Sequence, residues 1–201
     1  MAPVVQSKEK EVQTMIKWRR FFGTGLVLVL VLASLLNPGP CFAASAAEID
    51  RDARAALETL FQSTPQAKDL ARQAKAILVF PYVFRAGLVI GGLYGEGALM
   101  IEGKTVGYYS TAAGSFGLQA GVQAYGYALF FMNSGALQHL QEGSGWELGT
   151  GYSVVWVDKG DAATISTSTI FEDIYAFIFD QTGVMAGLGL QGSKITKINP
   201  E

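Results

Sequence analysis

The sequence predicts an α+β fold in which N-terminal helices pack on a strongly curved, Gly-rich, mostly antiparallel, barrel-like sheet. Two observations set the layers. Helical spacing of apolar residues is sustained only near the front of the region after residue 46, and short apolar segments separated by turn residues follow it. Glycine sets the curvature. Of 24 glycines only Gly23, Gly25 and Gly39 lie before residue 46, so 21 fall within the 155 residues from Ala47 to Glu201. A glycine inside a strand costs roughly 0.5–1 kcal/mol relative to alanine. So many imply coiling, bulges or backbone pressed against another layer.

The first 46 residues read as a signal peptide. Lys17, Arg19 and Arg20 precede the uncharged apolar run Leu26 to Leu36. Pro38, Gly39 and Pro40 break that run, and Ala44-Ser45-Ala46 follows as a small-x-small cleavage signal. Cleavage is expected after Ala46, with Ala43-Ala44 as the second choice. An uncleaved anchor beginning at Phe21 and a twin-arginine route through Arg19-Arg20-Phe21-Phe22 are the alternatives. The chain's single cysteine, Cys41, lies in this leader, so the 47–201 domain has no disulfide, zinc site or thiol nucleophile. Localisation is therefore expected in the periplasm or outside the cell.

Within the domain, Ile49, Ala53, Ala56, Leu57 and Leu60 recur at helical spacing, with Asp50 as the expected cap. Thr64-Pro65 opens a second helix to about Ala74. Ile77 to Phe80 reads as a strand stopped by Pro81. Leu88 to Tyr94 and Ala98 to Ile101 are separated by Gly95-Glu96-Gly97, and Glu102-Gly103-Lys104 turns the chain into Thr105 to Tyr109. Ser115 to Phe131 alternates with period two, Ser134 to Gln141 is a short helix, and Trp146 to Val157 is strand-like. Asp158-Lys159-Gly160-Asp161 turns into Ala163 to Thr167. Ile174 to Phe179, Val184 to Leu190 and Lys194 to Ile198 complete the sheet.

Charge and motif content exclude several functions. Five of the 15 cations and two of the 17 acids precede residue 46, which leaves the domain a net charge of about −5 and argues against nucleic acid as a partner. Gly91, Gly92, Gly95 and Gly97 lead from one strand into another, whereas a dinucleotide loop must open a helix. Gly103-Lys104-Thr105 lacks the earlier glycine of a phosphate loop and is a hairpin turn. His139 is the only histidine, and neither Ser115 nor Ser144 forms a nucleophile elbow. Glu172-Asp173 reads as an exposed turn. Glu96, between two glycines, is assigned a structural role, capping N–H groups or meeting a cation such as Arg85. No catalytic residue, metal site or cofactor is expected, and the protein is not expected to be an enzyme.

A lipid-facing site has a positive basis. Arg85 beside Tyr82 and Phe84 couples a cation to aromatic rings that suit headgroup depth, and Lys68, Lys75 and Lys104 are candidate helpers. The expected function is non-catalytic binding of a phospholipid or membrane surface. The alternative is a structural or protein-binding envelope domain, with an envelope protein or further copies of the chain as partner.

Several ordered blocks carry a resemblance. Ala76-Ile77-Leu78-Val79-Phe80-Pro81, Arg85-Ala86-Gly87, Gly91-Gly92-Leu93-Tyr94-Gly95-Glu96-Gly97, Tyr108-Tyr109-Ser110, Ser115 to Gln123, Phe131-Met132 and Gly145 to Gly149 together resemble the SYLF domain family, also called Ysc84-related. The resemblance implies a lipid-binding domain and places Arg85 at the family's basic position. It assigns Gly87 to the Ala-Gly step that follows, and Gly91, Gly92, Gly95 and Gly97 to the family's glycine block. Phosphoinositide-binding relatives use a basic amphipathic N-terminal segment. Here Asp50 to Leu60 mixes Arg51 and Arg54 with Asp50, Asp52 and Glu58.

Overall fold

The computed structural model describes residues 44–87, 90–116, 121–143, 145–157, 172–184 and 192–201. Most of the leader, the 158–171 segment and all but the first residue of Val184 to Leu190 lie outside these ranges.

Helix α1 spans Ala46–Ser63 and begins earlier than Asp50 suggests. Ser45 is its cap: the Ser45 hydroxyl accepts from the Glu48 N–H at 3.3 Å, and the Glu48 carboxylate accepts from the Ser45 N–H at 2.9 Å. This reciprocal box satisfies two donors that a helix start would otherwise leave open, and the Ser45 bonds hold the Glu48 carboxyl below its usual range. Asp50 instead accepts a 2.6 Å bond from the Thr105 hydroxyl. Arg54 donates to the Gly103 carbonyl at 2.9 Å, so α1 is tied to the hairpin at Glu102-Gly103. Both turn residues there have positive φ, 51° and 75°, as a tight two-residue hairpin requires. Helix α2, Pro65–Ala71, follows with Pro65 in its first turn.

The strands are β1 (Ala76–Gly87), β2 (Ile90–Ile101), β3 (Lys104–Phe116), β4 (Gly121–Phe131), β5 (Trp146–Glu147), β6 (Val154–Val157), β7 (Ile174–Val184) and β8 (Lys194–Ile198), with helix α3 (Ser134–Glu142) after β4. They form one sheet in the order β5-β8-β3-β2-β1-β4-β7-β6, antiparallel except for β6 against β7. Its outermost described strands have two and four residues, and short edges leave little backbone open to unwanted pairing.

Pro81 does not stop β1. The register shifts between Phe80 and Val83 against β4, and at a bulge proline's missing N–H does no harm. Gly95-Glu96-Gly97 likewise lies inside an unbroken β2, while the Ser115 to Phe131 pattern divides into the end of β3 and all of β4.

Each face of the sheet carries a core. Leu78, Phe80, Val83, Tyr127, Leu129 and Phe131 pack with Leu137 and Leu140 of α3. On the other face Val79, Ala98, Met100, Ala128 and Phe130 pack with Ile49, Ala53 and Leu60 of α1 and with Ala67 and Leu70 of α2. Burial on both sides explains why Ile77 to Phe80 and Ala128 to Phe131 read as continuous apolar runs. The α3 face is concave. Four strands separate β4 from β5, about 24 Å on a flat sheet, yet the Phe131 and Trp146 rings lie 6.2 Å apart. The result is a strongly curled half-barrel with the α+β layering expected.

Glycines permit the curl. A Cβ on Gly97 would fall on the Val79 carbonyl oxygen, and one on Gly95 would lie 2.6 Å from the Tyr82 carbonyl oxygen. Asp173 supplies a second tie. Its carboxylate accepts from the Asn133 side chain and from the Ser153 N–H at 3.0 Å, while its own N–H donates to the Ser153 hydroxyl at 3.0 Å. Asn133 also caps α3 through the Ala136 N–H at 2.7 Å. Asp173 therefore joins the start of α3 to β6 and β7 and is not a simple exposed turn.

Candidate functional site

Among the described residues, the convex face of the sheet is open beyond the reach of α1 and α2. At the bulge β1 changes from a run buried on both sides to strict alternation: Tyr82 is 70% exposed, Val83 buried, Phe84 55% exposed and Arg85 6% exposed. Pairing brings other strands into line with the two exposed rings. Phe84 stands opposite Tyr94 of β2 and Ala124 of β4, and Tyr82 stands opposite Glu96. Ala86 stands between Gly92 and Val122 in the next row. Tyr82, Phe84, Ile90, Tyr94 and Val122 thus form one exposed apolar surface across three neighbouring strands.

Its polar rim is specific. The Tyr94 hydroxyl donates to Glu96 at 2.7 Å. Partial burial, with that bond and the carboxylate's charge behind it, pushes the phenol up to about 12, so it remains a donor at neutral pH. Tyr82 lies within electrostatic reach of Arg51 of α1, whose guanidinium also bonds Asp52 at 2.9 Å.

Arg85 does not share this surface. It lies on the concave face, between Leu93 and Gln123 in the register, and is engaged in a contact of its own. Alternation supplies the reason: residues 82 and 84 share a face, and residue 85 must take the other. Glu96 and Arg85 are on opposite faces for the same reason. Lys68, Lys75 and Lys104 are exposed, but none is beside the apolar surface. Lys68 is on α2, and Lys75 precedes β1, its backbone N–H donating to the Phe131 carbonyl at 2.7 Å. Lys104 pairs with Ile101 at the end of β2 and β3 remote from Ile90.

Among the expected structural glycines, Gly87 and Gly91 face each other across β1 and β2, and a Cβ on Gly87 would meet the Gly91 Cα at 2.8 Å. Gly95 and Gly97 are in comparably close contact, whereas a Cβ on Gly92 would have only an ordinary 3.6 Å neighbour. The sequence reading omitted Ile90, Tyr94, Val122 and Arg51. Parity could have linked Ile90 to Tyr94 within β2, but placing either beside Phe84 requires the cross-strand register.

The concave face carries a polar seam within its apolar core. Arg85, Gln123, Tyr125, Tyr127 and Thr111 are each at most 6% exposed. Arg85 is close enough to Tyr125 for its charge to favour the phenolate slightly, but burial dominates and pushes that phenol up to about 12. Complete burial raises Tyr127 further. Thr111 lies near enough to oppose that rise, yet neither hydroxyl attains hydrogen-bond geometry, and the Tyr127 hydroxyl, Thr111 hydroxyl and Gln123 Oε1 have no partner among the described residues.

No cluster of acidic, histidine or cysteine side chains suited to a metal occurs among the described residues. His139 is exposed on α3, with its ring 5.5 Å from that of Tyr152. No described helix is long and apolar enough to cross a membrane, a finding that does not bear on spanning by strands.

Fold and surface define a curled α+β domain with an exposed aromatic sheet face. Residues 112–200 match the Ysc84 family model, described as "Las17-binding protein actin regulator". The match is consistent with a SYLF domain family protein, as the ordered sequence blocks imply. Ysc84 is a binding-domain family rather than a known enzyme family, which supports a binding role. No curated protein matches the chain significantly.

Proposed function

We propose that the protein binds a phospholipid membrane surface, without covalent chemistry, through the convex sheet face. The observation that carries this reading is the gathering of Tyr82, Phe84, Ile90, Tyr94 and Val122, all about half exposed or more, on one face of three adjacent strands. Contiguous apolar surface of this kind marks a contact site. The two tyrosines place hydroxyls beside apolar rings, a combination suited to the boundary between headgroups and acyl chains. Arg51, paired with Asp52, borders the surface beside Tyr82.

The site of action we propose is the cell envelope, in the periplasm or outside the cell, with residues before the domain acting as an export leader. The cap of α1 favours the second cleavage choice. Ala44 packs against the convex-face core, Ser45 forms the capping box, and the Ala46 N–H donates to the Glu201 carbonyl at 3.1 Å. Cleavage after Ala46 would remove all three, whereas cleavage between Ala43 and Ala44 keeps them.

Vesicle co-sedimentation tests the binding reading. The protein should sediment with phosphatidylglycerol vesicles, and Tyr82→Ser with Phe84→Ser should release it. A protein that forms a defined assembly and ignores both anionic and zwitterionic vesicles would instead be an envelope protein-binding domain.

A further inference from the structure

We propose that the convex aromatic surface selects lipids whose headgroup carries an ammonium, of the phosphatidylethanolamine kind, with Glu96 as the residue that recognises it. The inference rests on the membrane reading above and adds which headgroup that surface prefers. The first observation is register. Tyr82 stands opposite Glu96 and Phe84 opposite Tyr94 on adjacent strands, so three aromatic residues and one carboxylate occupy adjoining positions on one face. Directly opposed residues place their Cβ atoms about 4.5–5.5 Å apart. One ring is also tied to the carboxylate, the Tyr94 hydroxyl donating to Glu96 Oε1 at 2.7 Å.

The second observation is the sign of the charge. Glu96 is partly exposed and forms no ion pair among the described residues, its partner Tyr94 being a neutral donor. Oε2 accepts from no described residue. Neighbouring convex positions are uncharged: Ser110 of β3 faces Glu96, and Ala124 of β4 faces Phe84. Arg85 is on the other face, and Arg51 is held by Asp52 at 2.9 Å. Lys194 follows Ala112 in the row of Tyr94. That is two strands beyond the ring, about 10 Å on a flat sheet, and the lysine side chain lies over Gly145 at the edge. A bilayer seated on Tyr82 and Phe84 therefore brings its headgroups against an unmatched carboxylate. Phosphatidylglycerol meets it with a like charge and no cation. An ethanolamine ammonium offers three N–H donors to the carboxylate and a cation to the aromatic faces beside it. No enclosed cavity is needed, because the headgroup arrives from the membrane side of an open face.

Two vesicle compositions of equal surface charge test the preference with the full chain. One is an equimolar mixture of phosphatidylglycerol and phosphatidylethanolamine; in the other an uncharged galactolipid, digalactosyldiacylglycerol, replaces the phosphatidylethanolamine. Co-sedimentation should show the ethanolamine mixture bound about fivefold more tightly or better, as a cation–π contact together with an exposed ion pair provides. Glu96→Gln keeps the shape and an acceptor for Tyr94 and removes the charge. It should bring the ethanolamine mixture down to the level of the galactolipid mixture, without weakening binding to the latter. Glu142→Gln removes the same charge from α3, on the opposite side of the sheet, and should retain the preference. If Glu96→Gln does not fold, Glu96→Ser provides the same reading.

Equal binding of the parent to the two mixtures would overturn headgroup selection and leave the membrane reading standing. Absence of sedimentation with either mixture and with phosphatidylglycerol alone would instead remove the membrane reading itself. A preference that survives intact in Glu96→Gln would overturn the assignment to Glu96. An equal loss on both mixtures in a folded Glu96→Gln protein would overturn it as well, because the carboxylate would then support the surface rather than read the headgroup. Loss of the preference in Glu142→Gln would trace it to the overall charge of the domain and overturn a local site.

Discussion

Phe84 and Arg85 are neighbours in β1 and face opposite ways, Phe84 55% exposed on the convex side and Arg85 6% exposed on the concave side. This relationship separates the proposed surface site from the buried arginine, which adjacency in sequence suggests are one. Tyr82→Ser with Phe84→Ser should weaken vesicle binding by at least about tenfold, since withdrawing one large apolar side chain from burial forfeits roughly 1.5–3 kcal/mol. The unfolding midpoint should change little. Arg85→Ala should do the reverse, with a clear loss of stability in urea and vesicle affinity retained once folded. A stable Arg85→Ala protein with strongly reduced, salt-sensitive vesicle binding would return Arg85 to the surface site.

Asp173 tests the tie between α3 and the β6–β7 edge. Its carboxylate accepts from Asn133 and Ser153 together, and hydrogen bonds to charged groups are worth roughly 1.5–3 kcal/mol each. Asp173→Ala should lower stability by about 2 kcal/mol or more, read as a lower urea midpoint. Asp173→Asn, which keeps one acceptor oxygen, should recover part of the loss.

Two glycines should respond in opposite ways to the same methyl group. Gly97→Ala drives a Cβ into the Val79 carbonyl, and backbone on both sides leaves nothing to yield, so the protein should fail to fold or lose several kcal/mol. Gly114→Ala has no heavy atom within 4 Å of the new methyl. Its stability should be unchanged or higher by roughly 0.5 kcal/mol. Similar circular-dichroism melts for the two variants would remove close packing as the reason for glycine at 97.

Alkali should unfold the protein through its buried phenols. Tyr125 and Tyr127 are raised above the ordinary tyrosine value of 10.0, so above pH 10 the unfolded chain releases protons that the folded chain keeps. The stability they carry is therefore whole below about pH 10 and lost as pH rises through their folded values, about 12 for Tyr125. Urea midpoints measured from pH 8 to 11 should fall at the upper end, and Tyr127→Phe should flatten that fall. An equally steep decline in the phenylalanine variant would locate the alkaline sensitivity elsewhere.

The sequence by itself determined the fold class and most of the segments. Helical spacing from Ile49 to Leu60, the Thr64-Pro65 break, the apolar runs and the dense glycines are local signals, and local signals report backbone preference and burial directly. Ordered blocks such as Arg85-Ala86-Gly87 also carried the family resemblance. The continuation of β1 through Pro81 was not legible, because a bulge is defined by the strand opposite. The Ser45 cap was hidden by the reading of Ala44 to Ala46 as cleavage signal. Only the tertiary structure decided the proposed site. The register set Tyr94, Val122 and Phe84 side by side, and α1 and α2 left that part of the convex face open. Curling brought Tyr127 of β4 towards Thr111 of β3. Alternation within one strand separates Phe84 from Arg85, but which side faces solvent depends on what packs against the sheet, and that is a property of contacts distant in the chain.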